Sequence, residues 1–181
     1  MCTKTGTTEP GKVILIGAHF DSYNNTNPMD YAPGADDNAS GTAGVLEIAR
    51  VLAQIPSRKT IIFVPFDAEE QWMVGSYYYA VRAKAAGMNI ELMINMDMIG
   101  HDPSNNHLVW INTKPPSLGY ANLAVQLATG RTTLVPMINP NSPASDQLPF
   151  EQQGYNFIWA EEGEFNSPGY HNDTDQLWRL N

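Results

Sequence analysis

The stretch KVILIGAHFD, residues 12–21, decides the fold. Its first seven residues are apolar without alternation after Lys12, the pattern of a strand buried on both faces. Such a strand lies inside an α/β sheet with helices on either side. The run then breaks into His19 and Asp21, polar groups placed where an inner strand leaves its sheet. Two further runs read the same way, TIIFVPF at 60–66 and IELMINM at 90–96. Shorter strands are predicted at 108–112, 133–138 and 155–160. Between them, Val45, Ile48, Ala49 and Leu52 repeat at helical spacing over 41–55, ahead of Pro56. Helices are also predicted at 75–86, ended by Gly87, and 116–129, ended by Gly130, with a helical turn at 146–153. Strands alternating with helices imply an α/β fold, a three-layer sandwich with a mostly parallel mixed sheet. No repeat or linker divides residues 1–181, so one domain is expected.

The composition narrows the function. Nineteen acidic residues stand against ten basic ones, a net charge of −9. With no Lys/Arg cluster to neutralise phosphates, nucleic acid is excluded as the main partner. No apolar run reaches the ~18 residues of a membrane span, and none is expected. The segment MCTKTGTTEPGK has no apolar core, so no signal peptide is expected there. Cys2 is the single cysteine, in a terminus expected to be mobile. It can form neither an internal disulfide nor a thiolate metal site.

In open α/β sheets ligands bind outside the carboxyl ends of the strands. At those ends this sequence places His19 and Asp21, then Glu69 and Glu70, then Asp97, and after the last strand a loop with His171. The loop after the first strand adds Asp36 and Asp37. Each has an ordinary alternative: Asp36-Asp37 as a helix cap, Glu69-Glu70 as a solvated pair, Asp97 as a turn cap, His19 as a loop residue. Their joint placement on one edge points instead to a divalent cation. Imidazole and carboxylate donors suit Zn²⁺ or a similar ion, and buried carboxylates need a neutralising charge.

Six segments, GAHFDS (17–22), PGADDNASG (33–41), FDAEEQWMVGS (66–76), INMDMIG (94–100), SDQLPF (145–150) and YHNDTD (170–175), give the chain a close resemblance to the two-zinc aminopeptidases. That family includes bacterial leucyl aminopeptidases and aminopeptidase Y. The resemblance implies a zinc exopeptidase-like fold and two Zn²⁺ ions, other divalent metals being possible. It implies His19, Asp36, Glu70, Asp97 and His171 as metal ligands. Asp36 would bridge both ions, His19 and Asp97 complete the first, and Glu70 and His171 complete the second. Glu69 matches the general base and Asp21 a carboxylate that orients His19. The Asp36–Asp37 bond matches a position that is often cis. The implied reaction is hydrolysis that releases N-terminal residues of a peptide or peptide-like substrate, with a metal-bridging hydroxide as nucleophile.

The chain departs from the pattern in places. Gln147 replaces the usual His, Ser142 stands near the place of a carbonyl-polarising Tyr, and Trp72 replaces a Gly. Trp72 is weighed equally as a wall of the substrate pocket and as sheet packing, and Met73 and Met98 are candidates to line that pocket. Glu161, Glu162 and Glu164 read as a solvated loop, with an alternative role in holding the substrate's amine. Relatives carry elements on both sides of this core, so apolar surface left uncovered predicts a homo-oligomer. Many relatives are secreted, which makes an extracytoplasmic location the expectation. Two rivals remain: an acyltransferase of the glutaminyl cyclase type with one zinc, and a non-catalytic structural or assembly module on a peptidase fold.

Overall fold

The computed structural model describes residues 1–141, 144–164 and 168–181. Its sheet has seven strands: β1 (Cys2–Lys4), β2 (Glu9–His19), β3 (Lys59–Phe66), β4 (Ile90–Met96), β5 (Leu108–Asn112), β6 (Val135–Asn139) and β7 (Phe157–Glu162). The order across the sheet is β1-β3-β2-β4-β7-β5-β6. Strands β3, β2, β4 and β7 run parallel, as do β5 and β6. The pairings β1–β3 and β5–β7 are antiparallel. The helices are α1 (Gly41–Ala53), α2 (Val74–Ala85), α3 (Leu118–Thr129) and α4 (Gln147–Gln152).

The unalternated apolar runs are used on both faces. In β2, Val13 and Leu15 pack with Ala80 and Ala83 of α2 and Phe150 of α4. Ile16 and Ala18 point to the other face and meet Val45 of α1. Ile14 and Ile94 join that cluster to one around Ala121 of α3. Helices α1 and α3 therefore cover one face, and α2 and α4 the other, which is the expected three-layer sandwich. Each fully buried Leu or Phe contributes about 1.5–3 kcal/mol relative to exposure. Because β2, β3, β4 and β7 are parallel, their carboxyl ends open on one edge, and the polar residues that follow them collect there.

Two expectations about the chain are corrected. Residues Cys2–Lys4 form an edge strand, with Cys2 opposite Phe63, where a mobile terminus was expected. A three-residue segment carries no apolar pattern to read; backbone pairing to β3 holds it, together with a bond from Lys4 Nζ to Ala53 O at 3.3 Å. The last strand runs on through Glu161 and Glu162, which are buried, where a solvated loop was expected. Charged residues have low strand propensity, but pairing of Trp110 with Glu161 and Val109 with Glu162 overrides it.

Candidate metal centre

His19 ends β2 with its ring buried. Its Nδ1 lies 3.1 Å from the Asp21 carbonyl and 3.5 Å from Asp21 Oδ1. Its Nε2 is 3.3 Å from Asp37 Oδ1 and 3.3 Å from Asp97 Oδ1. Burial disfavours the charged ring, but Asp21, Asp37 and Asp97 hold its pKa far above the ordinary value. The second cluster is built on His171. Its Nε2 is 3.1 Å from Asp37 Oδ2 and 3.0 Å from Glu70 Oε2. The ring stacks on Tyr170, centroids 3.8 Å apart, and meets Tyr23 edge-on at 5.3 Å. Burial opposes its charge, yet Asp37 and Glu70 raise His171 to about 9.

One carboxylate thus serves both clusters, and it belongs to Asp37, not to Asp36. The groups are His19, Asp37 and Asp97, and Asp37, Glu70 and His171. Asp36 is turned away: its Oδ1 accepts from Gly100 N–H at 2.9 Å, and its carboxyl faces that of Glu162. Burial and the charge of Asp175 raise Asp36, while burial and Asp36 raise Glu162 to about 9, so Glu162 holds a proton against Asp36 at neutral pH. The cis peptide is likewise one residue further on than expected, at Asp37–Asn38.

The turn that aims Asp37 is held from afar. Asp175 accepts from the N–H of Asp36 at 2.9 Å and of Asp37 at 3.0 Å. Asn38 donates to Met96 O at 3.0 Å and accepts from Gly41 N–H at 2.9 Å. Asp175 and Asn38 lie inside the quoted segments, but sequence reasoning assigned them nothing. Their signal was that polar residues inside a segment matching the family were left without a role.

Asp97 follows β4, and its second oxygen accepts from Ser145 Oγ at 2.5 Å, which in turn accepts from Asn95 at 2.9 Å. Glu69 and Glu70 sit on the loop between β3 and α2. Both of their N–H groups donate to the Asp21 carboxylate, at 3.1 and 3.2 Å. Asp21 therefore fixes the loop as well as the His19 ring. Gly75 closes the same loop by donating to Asp67 O, and a Cβ there would fall 2.3 Å from that oxygen. Burial raises Glu70, and its Oε1 has no hydrogen-bond partner among the described residues. Burial, with Asp97, Asp146 and Glu70 nearby, raises Glu69 to about 8.

A cavity of about 360 Å³ opens on these groups, lined by His19, Asp37, Glu69, Asp97 and His171 on one side. Met98 is buried and lines it. Trp72 and Met73 do not. The loop passes through left-handed conformations at Ala68, Trp72 and Met73, with φ of 58°, 70° and 58°. That path throws Trp72 outward, 87% exposed, so neither pocket wall nor sheet packing describes it. Ser142 lies outside the described residues.

The donor atoms have the spacing of a metal cage. Zinc bonds of about 2.0–2.1 Å set tetrahedral ligand atoms roughly 3.3 Å apart, and the contacts above are 3.0–3.3 Å. The crowding of three carboxylates, one with a buried unpartnered oxygen, also fits a cation. Each histidine turns a single nitrogen to its cluster, and for His19 the other faces Asp21, the usual outer partner of a ligating imidazole.

The donor set on this edge of the α/β sandwich is that of a divalent-metal site. The pattern of peptidase family M28 matches residues 1–181, and the chain belongs to that family. It is similar to a probable zinc metalloprotease of Pyrenophora tritici-repentis, 33% identical over 168 residues, 89% of this chain and 38% of that protein. It is 32% identical over 170 residues to aminopeptidase YwaD of Bacillus subtilis, 91% of this chain and 36% of that one. The solved structure of BSAP, a zinc aminopeptidase from Bacillus subtilis, superposes with a TM-score of 0.79 at 26% identity, over 98% of this chain and 44% of that one. The chain spans less than two fifths of the length of these two curated relatives.

Proposed function

We propose that this chain carries the site of a two-zinc aminopeptidase. The observation that carries the reading is Asp37, whose two oxygens face separate histidines, Oδ1 at 3.3 Å from His19 and Oδ2 at 3.1 Å from His171. His19 and Asp97 would hold one ion, Glu70 and His171 the other, and Asp37 both. Bound there, zinc supplies a Lewis acid for the scissile carbonyl and lowers the pKa of the attacking water. Three carboxylates against four positive charges leave the cluster ready for one more anionic ligand. Asp21 positions His19 and the Glu69–Glu70 loop together, so one side chain sets the distance from ligand to base.

Glu69 lines the cavity without belonging to either ligand group. Its role is to take the proton from water at its carboxylate and return it to the departing amine, work worth typically about 10²–10⁴ in rate. The cavity is at the small end for ligand sites, which favours one terminal residue over an extended peptide. The zinc aminopeptidase and metalloprotease names of the relatives support the same reading. The test is zinc content together with hydrolysis of aminoacyl-nitroanilides. Two zinc per chain and release only from a free amino terminus are expected. One zinc with cyclisation of N-terminal glutamine would replace the reading with an acyltransferase, and no metal would replace it with a structural module.

A further inference from the structure

The far wall of the cavity is built by two antiparallel strands in register. Trp110 stands opposite Glu161 and Asn112 opposite Trp159. Residues two apart share a face, so all four side chains stand on one side of the sheet. Asn139, Trp110, Trp159 and Glu161 line the cavity. Glu161 is only 6% exposed. Its Oε2 accepts from Asn112 Nδ2 at 2.7 Å, and Asn112 Oδ1 accepts from Asn139 at 2.7 Å. The chain thus aims and fixes one carboxylate at the cavity with two neutral amides. Among the described residues no Lys, Arg or His pairs with it.

The flanking indoles are also committed. Trp110 Nε1 donates to Gly163 O at 3.1 Å, and Trp159 Nε1 to Asp97 O at 3.4 Å. What they leave for an occupant is aromatic surface, which attracts cations and accepts methylene stems. The Trp159 bond ties this wall to a candidate metal ligand, so the two halves of the cavity are one unit.

We infer that Glu161, flanked by Trp110 and Trp159, receives the cationic side chain of the substrate's first residue, making lysine and arginine the preferred N-terminal residues. The inference rests on the aminopeptidase reading, but it concerns side-chain choice and not the reaction. Glu161 has no counter-ion among the described residues, and burial pushes it up to about 7; an entering cation supplies the counter-ion and holds the carboxylate charged, whereas a neutral chain leaves it to take up a proton. Binding the substrate's α-amine is the competing role for Glu161, and that role is blind to the side chain.

The experiment compares lysyl, arginyl and norleucyl nitroanilides on the zinc-loaded protein and on Glu161→Gln. Gln keeps the acceptor for Asn112 and removes the charge. The lysine-to-norleucine ratio of kcat/KM is expected above about tenfold in the unmodified protein and to collapse toward one in the variant, consistent with a lost charge pair. A ratio below one in the unmodified protein, or a variant that slows all substrates with the ratio intact, overturns the inference. Calorimetry with lysinamide and norleucinamide reads the pocket apart from turnover. Tighter lysinamide binding that Glu161→Gln abolishes, in a protein that hydrolyses nothing, would uphold the pocket and refute the aminopeptidase reading. Equal binding of the two amides would overturn the pocket.

Discussion

Asp36→Asn and Asp37→Asn differ by one position and by everything in consequence. Asp37 contributes one oxygen to each cluster, so Asp37→Asn leaves each ion two strong protein ligands, where catalytic zinc sites use three. Losing groups that merely support ligands already costs about 10–100-fold in metal affinity. Loss of the shared ligand is therefore expected to exceed about 10²-fold at both positions, with zinc content after dialysis falling well below two per chain. In Asp36→Asn the amide oxygen keeps the Gly100 N–H bond, and the amide N–H replaces the proton that Glu162 holds against Asp36. Its expected cost is no more than about 1 kcal/mol of stability, with full zinc content and kcat/KM within about threefold. Elemental analysis and steady-state hydrolysis on both variants decide it. Metal lost from the Asp36 variant and retained in the Asp37 variant would refute the geometry.

Glu69→Gln is expected to keep its zinc and lose about 10²–10⁴ in kcat; wild-type turnover would require another base. Asp21→Ala leaves the main-chain carbonyl 3.1 Å from His19 Nδ1 but removes the carboxylate 3.5 Å from it and the acceptor of two loop N–H groups, so zinc affinity should fall toward the lower end of about 10–100-fold. A loss confined to turnover, with affinity intact, would limit Asp21 to the Glu69 loop. Chelation should lower the melting temperature and added zinc restore it, because metal binds only the folded site; an unchanged transition would separate the site from stability. Self-association is predicted from apolar residues exposed on α1 and β6, including Leu46, Val51, Val135 and Met137. Light scattering that finds only monomer at micromolar concentration would remove that expectation.

The layers of the fold were legible because KVILIGA and TIIFVPF are apolar on both faces, the pattern of an inner strand in a covered sheet, and IELMINM repeats it but for Glu91 and Asn95 on one face. The edge that gathers the polar groups followed from where those runs end. The choice between Asp36 and Asp37 was not legible. Adjacent identical residues on an irregular turn carry no periodicity, and the turn is set by Asp175, 138 positions from Asp37 in the chain. The direction of Trp72 was hidden for a related reason, since left-handed backbone at non-glycine residues leaves no mark in composition. Glu161 and Glu162 looked like solvent-facing residues because the strand that buries them, β5, lies some fifty residues earlier.

The central claim is that two ions sit on either side of Asp37. Diffraction from zinc-loaded crystals at wavelengths flanking the zinc absorption edge tests it directly. Two anomalous peaks are predicted, about 3.5–4 Å apart as in other two-metal sites, one against His19 and Asp97 and the other against Glu70 and His171, with Asp37 bonded to both. A single peak, or peaks bonded to Asp36, would contradict it.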